Sequence, residues 1–212
     1  MGPVPPALLY WWKLDDNYLD SEASADFTPG GGGGLAFTPA ARLDGQTHAL
    51  VNLGASGTDN MTAILSVPSS FSILFWFNTS ELSVFDVMYD KQLMHGLSVT
   101  YNFGGPRLLF WLQNGGASLS VSPIIDPPSF NHFALTVGAN NGATTYLNGG
   151  LKANNPALTS SQWSNGDLAV GEANPFMMNT IAPFALDSLR IYSGELDLAG
   201  VQAIYNSELP AP

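Results

Sequence analysis

Short runs in which apolar and polar residues alternate, separated by Asn-Gly and Gly-Gly turns, constrain this chain more than any other feature. Phe71-Ser72-Ile73-Leu74-Phe75-Trp76-Phe77-Asn78 is the strongest run, Phe130 to Val137 is another, and Leu97 to Phe103, Arg107 to Leu112 and Leu186 to Tyr192 are shorter. A period of two puts successive side chains on opposite faces, so each run predicts a strand with one face turned to a core. The turn signals are Asn114-Gly115-Gly116, Asn141-Gly142, Asn148-Gly149-Gly150 and Asn165-Gly166. Thr144 to Leu147, then Asn148-Gly149, then Leu151 is the best hairpin, because Asn and Gly tolerate the positive φ values of a type I′ turn. Only one helix is expected. Asp197 can cap a stretch to about Asn206 in which Leu198, Val201 and Tyr205 share a face, with Ile204 beside them. Many short strands with such turns predict an all-β sandwich or barrel.

Composition agrees and removes several functions. Charged residues are 11% of the 212, with 22 Gly and 15 Pro, where ordinary globular chains carry about 25% charge. Helices would need Lys, Arg and Glu on their wet faces; strands and turns can be kept soluble with Asn, Ser, Thr and Gly. Six Lys and Arg against 17 Asp and Glu give a formal charge of -11, too few cations to neutralise a row of phosphates. Nucleic acid and anionic membrane surfaces are therefore excluded as partners. The absence of Cys excludes disulfides, thiolate metal sites and thiol catalysis. No apolar run approaches the roughly 18–20 residues of a membrane span, so no membrane insertion is expected. Residues 1–9 hold Pro3, Pro5 and Pro6 and no basic residue; they read as an extended arm, not a signal peptide. The sandwich is expected over 10–206 and a short tail over 207–212, and the chain reads as soluble and complete. Gly30 to Gly34 reads as a loop tip: the Lys and Ser or Thr of a phosphate-cradling loop do not follow it.

The order of segments resembles the laminin G-like and pentraxin-like family of concanavalin A-type β-sandwiches, from about Tyr10 to Tyr205. Tyr10-Trp11-Trp12-Lys13-Leu14-Asp15 with Asp20-Ser21 is similar to the family's aromatic opening strand and acidic turn. Leu43-Asp44-Gly45 with Ala49 to Leu53 resembles its FDG box, with Leu in place of Phe. Phe71 to Phe77 resembles FTIEFWV. Phe130 to Thr136 followed by Tyr146-Leu147-Asn148-Gly149 resembles WHHVAVT and YVDG. Leu186 to Tyr192, closing at Ala203-Ile204-Tyr205, resembles IDDVRIY and ALY. The resemblance implies a jelly-roll of two antiparallel sheets with one short C-terminal helix. Phe130, Asn148 and Ser188 replace a Trp, an Asp and a carboxylate of the family pattern, and those changes remove polarity or charge where some relatives bind calcium.

Some relatives are glucanases, whose catalytic strand carries glutamates flanking an aspartate. The nearest approach is Glu195-Leu196-Asp197, which lacks the second Glu and falls at the helix start, so capping is the expected role of Asp197. His48, His95 and His132 are too widely spaced for a two-histidine metal motif, and His132 holds a position that is usually structural in the family. If a structural calcium ion is kept, Asp20 and Asp187 are the pair to hold it, because the fold's first and last strands are neighbours; otherwise the acids cap turns and keep the surface soluble. Among the tryptophans, Trp76 and Trp111 are expected in core or concave-face packing, and Trp163, between polar turn residues, is the candidate ligand contact. No enzyme is expected. The expected function is a structural or binding module displayed on a virion surface, docked to a capsid or fibre protein as a decoration or fibre-associated component and able to form homo-oligomers. The alternative is an extracellular lectin or adhesin that binds a surface glycan, with or without calcium.

Overall fold

A computed structural model describes residues 6–15, 19–22, 25–30, 35–38, 49–52, 60–65, 68, 70–79, 85–90, 95–102, 105–112, 117–121, 130–138, 140–159, 166–170 and 184–209. In chain order the strands are β1 (Ala7–Trp12), β2 (Thr28–Gly30), β3 (Leu35–Thr38), β4 (Ala49–Asn52), β5 (Asn60–Leu65), β6 (Phe71–Thr79), β7 (Phe85–Asp90) and β8 (His95–Asn102). They continue with β9 (Gly105–Leu112), β10 (Ala117–Val121), β11 (Asn131–Gly138), β12 (Gly142–Leu147), β13 (Gly150–Asn155), β14 (Gly166–Val170) and β15 (Phe184–Ser193), and α1 (Leu198–Ser207) follows. An eight-stranded sheet runs β13-β12-β11-β6-β15-β4-β3, with β1 also on β15, and a seven-stranded sheet runs β10-β9-β8-β7-β14-β5-β2. No described helix is long and apolar enough to cross a membrane. Leu43-Asp44-Gly45, Gly31 to Gly34, Asn114-Gly115-Gly116, Trp163 and Asn165 lie outside the described residues.

The first sheet is centred on β6. Phe71, Ile73, Phe75 and Phe77 are buried on one of its faces, in register with Val137, Leu135, Phe133 and Asn131 of β11. The Phe75 and Phe133 rings meet at 5.3 Å. Trp12, fully buried, extends this core by stacking on Tyr10 at 5.5 Å and meeting Phe27 at 4.4 Å. On the opposite face of β6, Ser72, Leu74 and Trp76 are buried as well. The reason is the terminal helix, which covers that face. With α1 on one side, the buried row of phenylalanines on the other calls for a second layer.

Local chemistry sets several boundaries. β1 starts at Ala7, inside the segment expected as an arm, because the chain regains backbone N–H groups beyond Pro6; Ala7 pairs with Ser193 and Leu8 with Tyr192. β15 serves two partners on one edge: Phe184 to Leu186 pair with β4, and Leu189 to Ser193 pair with β1. Its register against β6 shifts between Asp187 and Arg190, where Ser188 has φ 50°. The β12–β13 turn has φ 50° at Asn148 and 72° at Gly149, the two positive values of a type I′ turn. Asn148 also pins this turn to β11: its Oδ1 accepts from the His132 N–H at 2.9 Å and its Nδ2 donates to Asn131 Oδ1 at 3.0 Å. That is the local use of an amide where the family pattern has a carboxylate.

Candidate functional site

The residues with chemical potential gather on the outer face of the first sheet, under α1. Asp197 is the N-cap, its side chain accepting from the Gly200 N–H at 2.8 Å. The helix seats Val201 and the preceding Leu196 on Leu74, Ala134 and Tyr146, with Tyr192 and Ile204 packed against them. Leu198, which shares the periodic face in the sequence, is 42% exposed. It sits at the first helical position, and Leu196 fills the contact instead. A second cluster joins Trp76 and Phe130 to Tyr205, Ala185 and Leu209. His132, buried, lies with its ring 5.2 Å from Trp76 and 5.6 Å from Tyr205.

A polar clasp closes the far end of the helix. Glu208 is the C-cap residue, and its Oε1 accepts from Arg190 Nη1 at 2.5 Å and from the Ser188 hydroxyl at 3.0 Å. Its Oε2 accepts from Trp76 Nε1. Trp11 Nε1 donates to Ser188 Oγ at 3.2 Å, and the Arg190 guanidinium lies 4.2 Å from the Trp11 ring centroid. This pair is buried, with side-chain exposures of 10% and 8%, so its hydrogen bonds must compensate for lost hydration. Neither Trp76 nor Glu208 is free for chemistry. The sequence places Trp76 in a core or on a concave face; it belongs to the second core beneath α1. Glu208 has no sequence signal as its partner, because 132 positions separate the two residues.

The carboxylates singled out earlier also have structural contacts. Glu195 accepts from Asn141 Nδ2 at 3.0 Å and sits against Gly138, where a Cβ would meet its carboxylate. Asp20 is buried; its Oδ1 accepts from the Trp11 and Glu22 N–H groups at 2.8 and 3.0 Å, and its Oδ2 accepts from the Ala25 N–H at 3.2 Å. Asp187 is buried on β15, opposite Trp76 of β6. Trp12 bridges to Asp20 and pairs with Leu189. β1 therefore lies between Asp20 and the strand of Asp187, a gap of two strand spacings or about 10 Å. Among the described residues no group of three or more His, Cys, Asp or Glu is arranged to hold a metal ion.

Two tyrosines make this face sensitive to alkali. Burial holds the Tyr146 hydroxyl above its ordinary 10.0, and Glu195 and Asp197 add to the rise while a hydrogen bond with Thr136 opposes it. Burial likewise raises Tyr192, against the opposing charge of Arg190 and with Glu208 and Glu22 reinforcing it. A phenol whose folded pKa is raised gives stability that is complete below the unfolded value of about 10 and is lost as pH rises through the folded one. Thermal melts from pH 8 to 11.5 should thus show a loss beginning near pH 10 that is smaller in a Tyr146→Phe/Tyr192→Phe variant.

Two antiparallel sheets, with a terminal helix seated on one of them, define a jelly-roll fold. The chain belongs to the concanavalin A-like lectin/glucanases superfamily, whose laminin G family model matches residues 53–202. No curated protein sequence matches the chain. Among solved structures it is similar to the binding domain of Paraclostridial mosquitocidal protein 1, with TM-score 0.73 and 16% identity over 95% of this chain and 52% of that one. It is similar to domain 4 of AbnA, an extracellular arabinanase from Geobacillus stearothermophilus in complex with arabinotriose, with TM-score 0.70 and 19% identity over 94% of this chain and 98% of that one. A third is a botulinum neurotoxin type C structure whose cell entry depends on two ganglioside molecules, with TM-score 0.73 and 15% identity over 95% and 51%. The chain thus spans about half the length of the toxin structures and nearly all of the arabinanase domain.

Proposed function

We propose that this chain is a non-catalytic carbohydrate-binding module that works outside the cell. The observation that carries the reading is the overlap with domain 4 of the extracellular arabinanase, which accounts for 98% of that domain and whose structure holds arabinotriose. The engagement of Glu195, Asp197 and Glu208 in packing, capping and the clasp supports the non-catalytic half, since glycoside cleavage needs two carboxyl groups facing one sugar bond. A net charge of -11 repels sulfated and other polyanionic glycans, so the ligand is a neutral one. Binding is independent of calcium in this reading, because the Asp20 oxygens already accept three backbone N–H groups. A glycan array with and without chelator tests both points. Binding to neutral glycans that survives chelator is expected; silence across the array would overturn the reading, and loss of binding with chelator would restore a calcium site for Asp20 and Asp187.

A virion-surface role on a capsid or fibre protein is a second reading, favoured by the Pro-rich arm. Pro6 packs on Gly194, its Cγ 3.6 Å from where a Cβ there would stand, so an arm would start from a fixed point on the sandwich. Co-sedimentation with virus particles would support it, and recovery only in the unbound fraction would remove it.

A further inference from the structure

Leu151 and Leu198 are two of the three large apolar side chains that stand exposed among the described residues, at 58% and 42%. They flank one seam. β13 ends the eight-stranded sheet, and Tyr146 of β12 pairs with Ala134 on one side and with Leu151 on the other. Ala134 and Tyr146 lie beneath α1, and residues directly opposite in a ladder share a face, so Leu151 stands at the margin of that same outer face. Leu198 precedes Tyr205 by about two helical turns and so shares its side of α1. The Tyr205 ring lies against Gly149, just before β13, and α1 runs beside that strand. Leu198 is therefore on the β13 side of the helix.

Each leucine has a charged neighbour, and the two charges are opposite. Lys152 follows Leu151, Asp197 precedes Leu198, and both are exposed. Asp197 caps α1 through its Oδ1, which leaves Oδ2 able to accept from a lysine. Among the described residues no carboxylate pairs with Lys152. A terminal strand with an exposed leucine could serve ladder extension by another chain, but the register of β13 opposes that. It slips between Thr145 and Tyr146 and leaves Lys152 as the extra residue, and a bulge carrying a lysine blunts a strand edge. Leu151 is left for packing from the face.

We propose that the seam between α1 and β13 is where a second copy of the chain docks, face to face about a two-fold axis. A two-fold contact uses the same patch twice, so Leu151 of one copy meets Leu198 of the other, Lys152 pairs with Asp197, and both contacts recur by symmetry. The patch is complementary to itself in charge, which a chain with six Lys and Arg against 17 Asp and Glu achieves at few places. Its small extent puts it among weak, transient interfaces. Docking joins two binding modules and adds avidity for a surface that repeats its ligand, yet it does not depend on what that ligand is.

Sedimentation equilibrium of the full chain, up to about 1 mM to reach weak association, tests the proposal. Wild type should show a monomer–dimer equilibrium. Lys152→Glu, Leu151→Asp and Asp197→Asn should each weaken it by about tenfold, because every change acts twice in the dimer. All three positions are exposed and asparagine keeps the cap, so the melts of these variants should stay near wild type. A mixture of Lys152→Glu with Asp197→Lys is the sharper arm: each alone sets like charge against like, whereas the mixed dimer restores both pairs and should associate again. Asp197→Lys loses the cap and is mixed only if its melt shows it folded; otherwise the three single variants decide. Wild type that stays monomeric, single variants that dimerise as wild type does, or a mixture no better than its components would overturn the docking. The array result for glycans is read separately, so either reading can fail without the other.

Discussion

Glu208→Ala should lower the melting temperature by about 6–20 °C. The substitution leaves the Arg190 guanidinium, 10% exposed, without its carboxylate partner, and breaking one side of a buried ion pair costs about 3–5 kcal/mol. In a domain of this size each kcal/mol corresponds to about 2–4 °C. The same carboxylate accepts from Trp76 Nε1 and the Ser188 hydroxyl, so α1 loses its tie to β6 and β15 together. Circular dichroism melts of the single variant and of an Arg190→Met/Glu208→Leu double variant separate the two contributions. The double variant should recover much of the loss, because no buried charge is then left alone. A single variant that melts within 2 °C of wild type, on that same conversion, would mean that the pair is solvated and that the clasp does not hold the helix.

Gly142→Ala should destabilise the chain by about 2–5 kcal/mol, combining a left-handed backbone with overpacking. Gly142 has φ +76°, and an added Cβ would meet the Asn155 carbonyl oxygen and the Pro156 Cα, both backbone atoms of the facing chain. Backbone fixed by the β12–β13 ladder cannot step aside. Gly149 has nearly the same φ, +72°, but its Cβ would meet Cδ1 of the Tyr205 ring at 2.8 Å, and a side chain can move. Gly149→Ala should therefore cost less, and the order of the two variants in urea denaturation is the informative quantity. A larger loss at Gly149 would mean that the aromatic packing around Tyr205, not the backbone of the β12–β13 ladder, is the more rigid part.

What the residues announce in advance is local. The Asn148-Gly149 turn, the alternation of Phe71 to Phe77 and the cap at Asp197 each depend on neighbours in sequence, and each takes the expected form. The burial of both faces of β6 does not, because it depends on where α1 lands after β15. Trp76 is therefore legible as a strand residue but not as the floor beneath Tyr205. Asp20 and Asp187 are read as a pair from strand order alone. First and last strands do pair, as the family resemblance implies, but β1 itself stands between the two residues. Trp163, chosen for its polar surroundings, lies outside the described residues.

Equilibrium dialysis of the full chain against the neutral oligosaccharides picked out by the array, followed by chromatography of the sugar on both sides, is the most direct test of a non-catalytic glycan-binding module. The expected outcome is saturable retention of sugar of unchanged length. Shortened oligosaccharide, or equal sugar on both sides at every concentration, would contradict it.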